Sequence, residues 1–72
     1  MPDEVVVYVE LVDEGVDVWR PVSAVVEGDG VYRLTGEQPS GEQWPFPPGS
    51  RVRCQERELS DGWERVAYRL AG

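Results

Sequence analysis

The stretch from Val18 to Val26 limits what this chain can fold into more than any other. It is rich in β-branched residues, lacks the apolar spacing of a helix, and leads directly into Gly28-Asp29-Gly30. We predict a long strand, a tight turn at the two glycines, and a second strand from Val31 to Thr35 that pairs with the first. A hairpin of this kind is not stable alone, so further strands must cover its apolar face.

Four other apolar segments are equally short, and none has helical periodicity. The pattern predicts a single all-β domain over residues 1–72, with strands at about 5–12, 17–27, 31–35, 50–58 and 63–70. We expect a small five-stranded closed barrel, because closure removes the exposed edges that an open five-stranded sheet would leave.

Alternation along the strands predicts the core, with two irregularities. Arg20 falls on the core face of its strand, and we expect a bulge or an edge position at Pro21 to turn it outward. Strict alternation would also send Glu56 inward, so a phase slip or strand end is expected there. The predicted inward residues are Val5, Val7, Val9, Leu11, Val22, Ala24, Val26, Tyr32, Leu34, Val52, Cys54, Val66, Tyr68 and Leu70.

A resemblance points to the same fold. The sequences LVDEG at 11–15, VWRPV at 18–22, WPFPPG at 44–49, VRC at 52–54 and LSDG at 59–62 together resemble a group of small uncharacterised bacterial proteins. The strand order and the Pro-Gly entry to the fourth strand resemble SH3-like barrels more distantly. The resemblance implies an SH3-like barrel, and it brings no catalytic or ligand-binding residues with it.

The charge composition argues against several function classes. Fourteen acidic residues face seven arginines, with no lysine or histidine, for a net charge of −7. Such a protein repels nucleic acid and anionic membranes at long range, so neither is an expected partner. Residues 1–4 lack a basic leader and no apolar run is long enough to span a bilayer, so we expect a cytoplasmic location.

We expect no enzymatic activity and no cofactor. Histidine, the usual general base, is absent, and the lone Cys54 is predicted to point inward as a structural thiol. Asp13, Glu14 and Asp17 form the one acidic group near a turn, and we interpret it as a solvated turn and expect no bound metal.

Aromatic residues outside the predicted core form the best candidate site. We predict that an unknown protein partner meets Trp19, Trp44, Phe46 and Trp63, with Arg51 and Arg53 nearby. Exposed tryptophan is costly, so we expect the 44–48 segment to fold back over the barrel. The functional alternative is that the aromatic surface holds a peptide, or that this Pro-rich segment is itself recognised by a partner. The two roles can coexist.

Five arginines are predicted on one outer face: Arg33, Arg51, Arg53, Arg65 and Arg69. They form either a patch for an anionic partner or cross-strand pairs with Glu56, Glu58, Glu64 and Glu10, and we favour the cross-strand pairs.

The leading hypothesis is a non-catalytic protein-protein interaction module. The alternative is a small acidic inhibitor or immunity-like protein that blocks a basic partner, since residues 1–32 hold eight acids and one base. A third hypothesis is a structural dimer formed through an unpaired strand edge. We expect a monomer or a weak homodimer.

Overall fold

The computed structural model describes residues 4–12, 18–60 and 62–71, and five strands form its entire regular structure. They are β1 (Glu4–Glu10), β2 (Trp19–Gly28), β3 (Val31–Leu34), β4 (Arg51–Leu59) and β5 (Gly62–Leu70). The strands form a closed barrel in the order β1-β2-β3-β4-β5. The all-β class and the closed five-stranded barrel are therefore confirmed, and the architecture is consistent with a small SH3-like barrel.

Consecutive strands pair antiparallel, and the barrel closes through a parallel contact between β1 and β5 at Tyr8 and Val66. The predicted turn between β2 and β3 is present. Gly28, Asp29 and Gly30 have φ values of 102°, 57° and 76°, which is the left-handed region where glycine is strain-free and aspartate is tolerated. This turn sets the register that places Ala24 opposite Leu34.

The core is a cluster of small and branched aliphatic residues inside the barrel. Fully burying a valine or leucine contributes about 1.5–3 kcal/mol, so these side chains supply most of the driving force for folding. Five partly buried residues pack against the cluster, among them Cys54 and Tyr32, as alternation predicts. The members of the cluster are Val7, Val9, Val22, Ala24, Leu34, Val52 and Ala67.

The predicted phase of β5 is wrong beyond Val66. Val66 is 1% exposed, as expected, but Tyr68 and Leu70 are 47% and 59% exposed, whereas Ala67, predicted outside, is 8% exposed. Cys54 pairs with Ala67 and Arg53 with Arg69, so Tyr68 is an extra residue that interrupts the alternation. A second deviation is Val26, which lies beside the β2–β3 register shift and is 38% exposed.

Of the two alternatives expected at Pro21, the bulge is absent and the edge position is present. The β1–β2 register runs without a shift from Glu4 opposite Val25 to Glu10 opposite Trp19. Arg20 stays in phase with Val22, and its exposed side chain meets Glu42 of the β3–β4 loop. Pro21 is tolerated because the pairing with β3 stops at Ala24, which leaves this part of β2 paired with β1 alone.

The β4 strand continues through the expected break at Glu56. It pairs with β5 without interruption from Cys54 to Leu59, and the register shift lies earlier, between Arg53 and Cys54. Glu56 is exposed because the hairpin extends past the last residue of β4 that packs against the core, Cys54. Charged residues on both faces are expected for such a two-stranded extension.

The loop between β3 and β4 covers one side of the barrel. Trp44 and Phe46 pack against the core cluster, and the Val12 amide donates a 2.8 Å hydrogen bond to the Gln43 carbonyl. The packing role considered for the 44–48 segment is therefore present.

Several sequence-based predictions fall outside the described residues. These are the turn at 13–15, the acidic group that includes Asp17, and Asp61 of the β4–β5 turn. Within the described ranges, no helix is long and apolar enough to cross a membrane.

Candidate functional site

Trp19 is the centre of the candidate site. It is the first residue of β2, lies opposite Glu10 of β1, and is partly buried. Two open clefts flank it, and we call them together the Trp19 groove. One cleft, of about 270 Å³, lies between Trp19 and the β4–β5 turn region at Arg57, Glu58, Leu59 and Ser60.

The second cleft, of about 240 Å³, is lined by residues from four strands and the β3–β4 loop. Its aromatic and proline lining consists of Trp19, Phe46, Tyr68 and Pro45. The other lining residues are Glu10, Gln55, Arg57, Val66 and Ala67. The pairing of the strands positions these groups. Glu10 of β1 lies opposite Trp19 of β2, and Gln55 of β4 lies opposite Val66 of β5.

Arg57 links the two clefts. Its guanidinium carbon is 5.3 Å from the centre of the Trp19 ring, which is cation–π geometry and contributes about 0.5–1 kcal/mol at an exposed site. Trp19 and Arg57 both line each of the two clefts. Glu10 and Glu58 line the groove as well, so its charge is mixed rather than strongly basic.

The dimensions of the groove indicate what it can accommodate. Pockets for drug-sized ligands and cofactors typically measure about 300–1,000 Å³ and enclose the ligand. Each cleft is smaller than that range and open to solvent. Two shallow aromatic clefts side by side fit successive side chains of a peptide better than one small molecule.

Of the residues predicted for the site, Trp19 and Phe46 meet in the groove. Trp44 does not line it. Its indole Nε1 donates a 2.9 Å hydrogen bond to a carboxylate oxygen of Glu42, and its ring packs on the core. Glu42 in turn accepts two hydrogen bonds from Arg20, so Trp44 anchors the loop instead of presenting a free surface.

Trp63 and the two predicted arginines lie elsewhere. Trp63 is 68% exposed, pairs opposite Glu58 in the β4–β5 hairpin, and lines neither cleft. Arg51 and Arg53 lie on the part of β4 that pairs with β3. Gln55 lines the groove two residues beyond Arg53, so the arginines adjoin the groove without entering it.

Arg57 and Tyr68 are site residues that the sequence did not single out. Tyr68 was assigned to the core because alternation was extended through β5, and only the extra residue in the register turns it toward the groove. Arg57 was one exposed arginine among several. The spacing of Trp19 and Arg57 in the chain, 38 positions, gives no local signal of their contact.

Cys54, the one cysteine of the chain, lies in surroundings that disfavour its thiolate form. Burial raises the pKa of the Cys54 thiol to about 11, although Arg65 acts in the opposite direction. A thiol with so high a pKa is almost entirely protonated at neutral pH and is a poor nucleophile. Within the ranges described, no group of three or more acidic, cysteine or histidine side chains could hold a metal ion.

No family model matches the chain, and no curated protein or solved structure matches it either. The function is therefore inferred from the geometry of the barrel surface.

Proposed function

We infer that this domain is a non-catalytic protein-protein interaction module that holds an extended segment of a partner in the Trp19 groove. The supporting observation is the partly buried Trp19 ring, which stacks against Arg57 and lines two open clefts with it. Tryptophan and arginine are the residue types most often found at the centres of protein interfaces. Aromatic grooves of this kind bind extended segments, whose side chains enter successive pockets.

The groove favours a particular kind of segment. Phe46, Tyr68 and Pro45 provide apolar contacts in one cleft, and Leu59 provides one in the other. Two apolar side chains of the partner, one for each cleft, would straddle the Trp19–Arg57 stack. We propose that the segment carries apolar or proline residues at those two positions.

The alternative, a blocker of basic partners, receives less support. Of the eight acids in residues 1–32, the structure describes four: Glu4, Glu10, Glu27 and Asp29. Glu27 already pairs with Arg33 and Arg51, and Glu10 lies beside the groove. The acidic surface left on the described residues is therefore dispersed.

The test is a selection from a library of random peptides displayed on phage, followed by affinity measurement. For an enriched peptide, Trp19→Ala should weaken binding at least about tenfold, as expected for a buried anchor worth about 1.4 kcal/mol or more. Trp63→Ala is the matched control, because it removes an exposed tryptophan outside the groove and should change affinity less than about twofold.

Folding is checked separately by urea denaturation of each variant. Arg57→Ala removes the lid of the stack without touching the core cluster, so it tests the same surface if Trp19→Ala proves unstable. Failure to enrich any peptide, or equal losses for Trp19→Ala and Trp63→Ala, would contradict the proposal.

A further inference from the structure

Four arginines lie together on one outer face of β3, β4 and β5. Arg33 is directly opposite Arg51, and Arg53 is directly opposite Arg69. Arg51 and Arg53 are two residues apart on β4, so strand alternation gives them the same face. The side chains form a stepped array across the three strands, with one arginine on β3, two on β4 and one on β5, which we call the arginine patch.

This arrangement is unfavourable for the isolated protein. Like charges directly opposite each other destabilise a sheet, and here two such pairs are adjacent. The chain has only seven basic residues against fourteen acidic ones, yet four of the seven share this face. The excess of acids elsewhere on the surface does not neutralise the patch, because an exposed guanidinium is neutralised only by a carboxylate close to it.

Within the described residues, one carboxylate forms ion pairs with the patch. Glu27 of β2 lies between Arg33, whose Nε is 3.3 Å from Oε2, and Arg51, whose Nε is 3.5 Å from Oε1. Arg53 donates instead to the neutral carbonyl of Asp29, at 3.1 Å. The side chains of Arg33 and Arg51 are still 51% and 57% exposed, so their remaining donors face solvent.

Glu27 demonstrates how this surface holds a carboxylate, with two guanidinium groups from neighbouring strands clamping one acid. We propose that the arginine patch binds an acidic segment of a partner protein in extended conformation, with carboxylates at every second residue. Alternate residues of an extended strand are about 6.6 Å apart, which is also the spacing of Arg51 and Arg53 on β4. Successive carboxylates can therefore face successive arginine pairs.

A short acidic segment fits the patch better than nucleic acid. The net charge of −7 repels a long polyanion over its whole length, whereas a short segment contacts only the four arginines and the Glu27 carboxylate held between two of them. The patch and the Trp19 groove use different side chains, so this inference does not depend on the proposed function.

The test uses a fluorescein-labelled ten-residue peptide with glutamate at every second position, followed by fluorescence anisotropy. The matched peptide carries glutamine at those positions. We expect binding of the glutamate peptide only, weakened about tenfold or more when sodium chloride rises from about 50 to about 500 mM. Arg53→Gln and Arg69→Gln should each weaken binding about threefold or more, consistent with partly exposed ion pairs.

Glu27→Gln provides a variant that gains binding, which misfolding cannot imitate. Removing the internal carboxylate should tighten the glutamate peptide about two- to threefold, because two more guanidinium groups become available. Arg57→Gln removes the same charge from the groove, and an effect as large as that of Arg69→Gln would overturn the inference. Equal binding of the glutamine peptide, or tighter binding of a ten-nucleotide single-stranded DNA, would overturn it too.

Discussion

At the scale of single residues, two arginines of the barrel are held by different kinds of partner. Arg20 lies on the same face of β2 as Val22, but its side chain is 44% exposed and pairs with Glu42. Glu42 also accepts the Trp44 indole N–H, so one carboxylate fastens the β3–β4 loop to β2. Arg57 is held by the face of an aromatic ring instead, and its charge stays available to a partner.

The Glu42 carboxylate should make stability depend on pH in a defined direction. Hydrogen bonds from Arg20 and then Trp44 lower its pKa from the ordinary glutamate value. The folded protein therefore binds this proton less tightly than the unfolded chain. The stabilisation is fully present above the unfolded value of about 4.3 and is lost as the pH falls through the lowered pKa of the folded state.

Urea denaturation of the wild type and Glu42→Gln measures this contribution. We expect the variant to have the lower free energy of unfolding at pH 7, with the difference shrinking as the pH falls from about 4.3 toward about 2. Glutamine keeps the size of the side chain and can still accept from Trp44. A difference that stays constant across that range would contradict the assignment.

At the scale of elements, the sequence predicts the number, order and approximate limits of the strands. The reason is that alternation and glycine turns are local properties, readable around Gly28-Asp29-Gly30 and within Val5–Val9. The phase of β5 was not readable, because the extra residue Tyr68 is defined only by its pairing with β4. The Trp19 groove was predicted in part for the same reason. Trp19 and Phe46 were predicted because they are aromatic residues outside the expected core, whereas Arg57 and Tyr68 reach the groove only through the pairing of the strands.

The exposure of the end of β5 can be tested by comparing two leucines. Leu34 is 1% exposed and belongs to the core cluster, whereas Leu70, which simple alternation places inside, is 59% exposed. Leu34→Ala should lower the free energy of unfolding by about 2–5 kcal/mol, because it deletes buried methyl groups and leaves a cavity.

Leu70→Ala is the control for the same change of side chain, and it should alter the free energy of unfolding by no more than about 0.5 kcal/mol. Urea or thermal unfolding followed by circular dichroism provides both values. Similar losses for the two variants would show that Leu70 is buried and that the exposed end of β5 is misplaced.

At the scale of the whole molecule, a small closed barrel carries two distinct surfaces. The core cluster uses mainly valine and alanine, and the β3–β4 loop adds Trp44 and Phe46 to it, so most large apolar groups support the fold. Trp19 is set apart by its open clefts, and the arginine patch by its charge. Both surfaces lie on the outside of the barrel.

The most direct test of the central claim follows the indole N–H signals by ¹⁵N–¹H correlation NMR during titration with a peptide enriched in the phage selection. The protein has three tryptophans, so three such signals report on three separate surfaces. We predict that the Trp19 signal and the backbone signals of Phe46, Arg57 and Tyr68 move as the peptide binds, while that of Trp63 stays in place. Shifts centred on Trp63, with the Trp19 signal unmoved, would contradict the account.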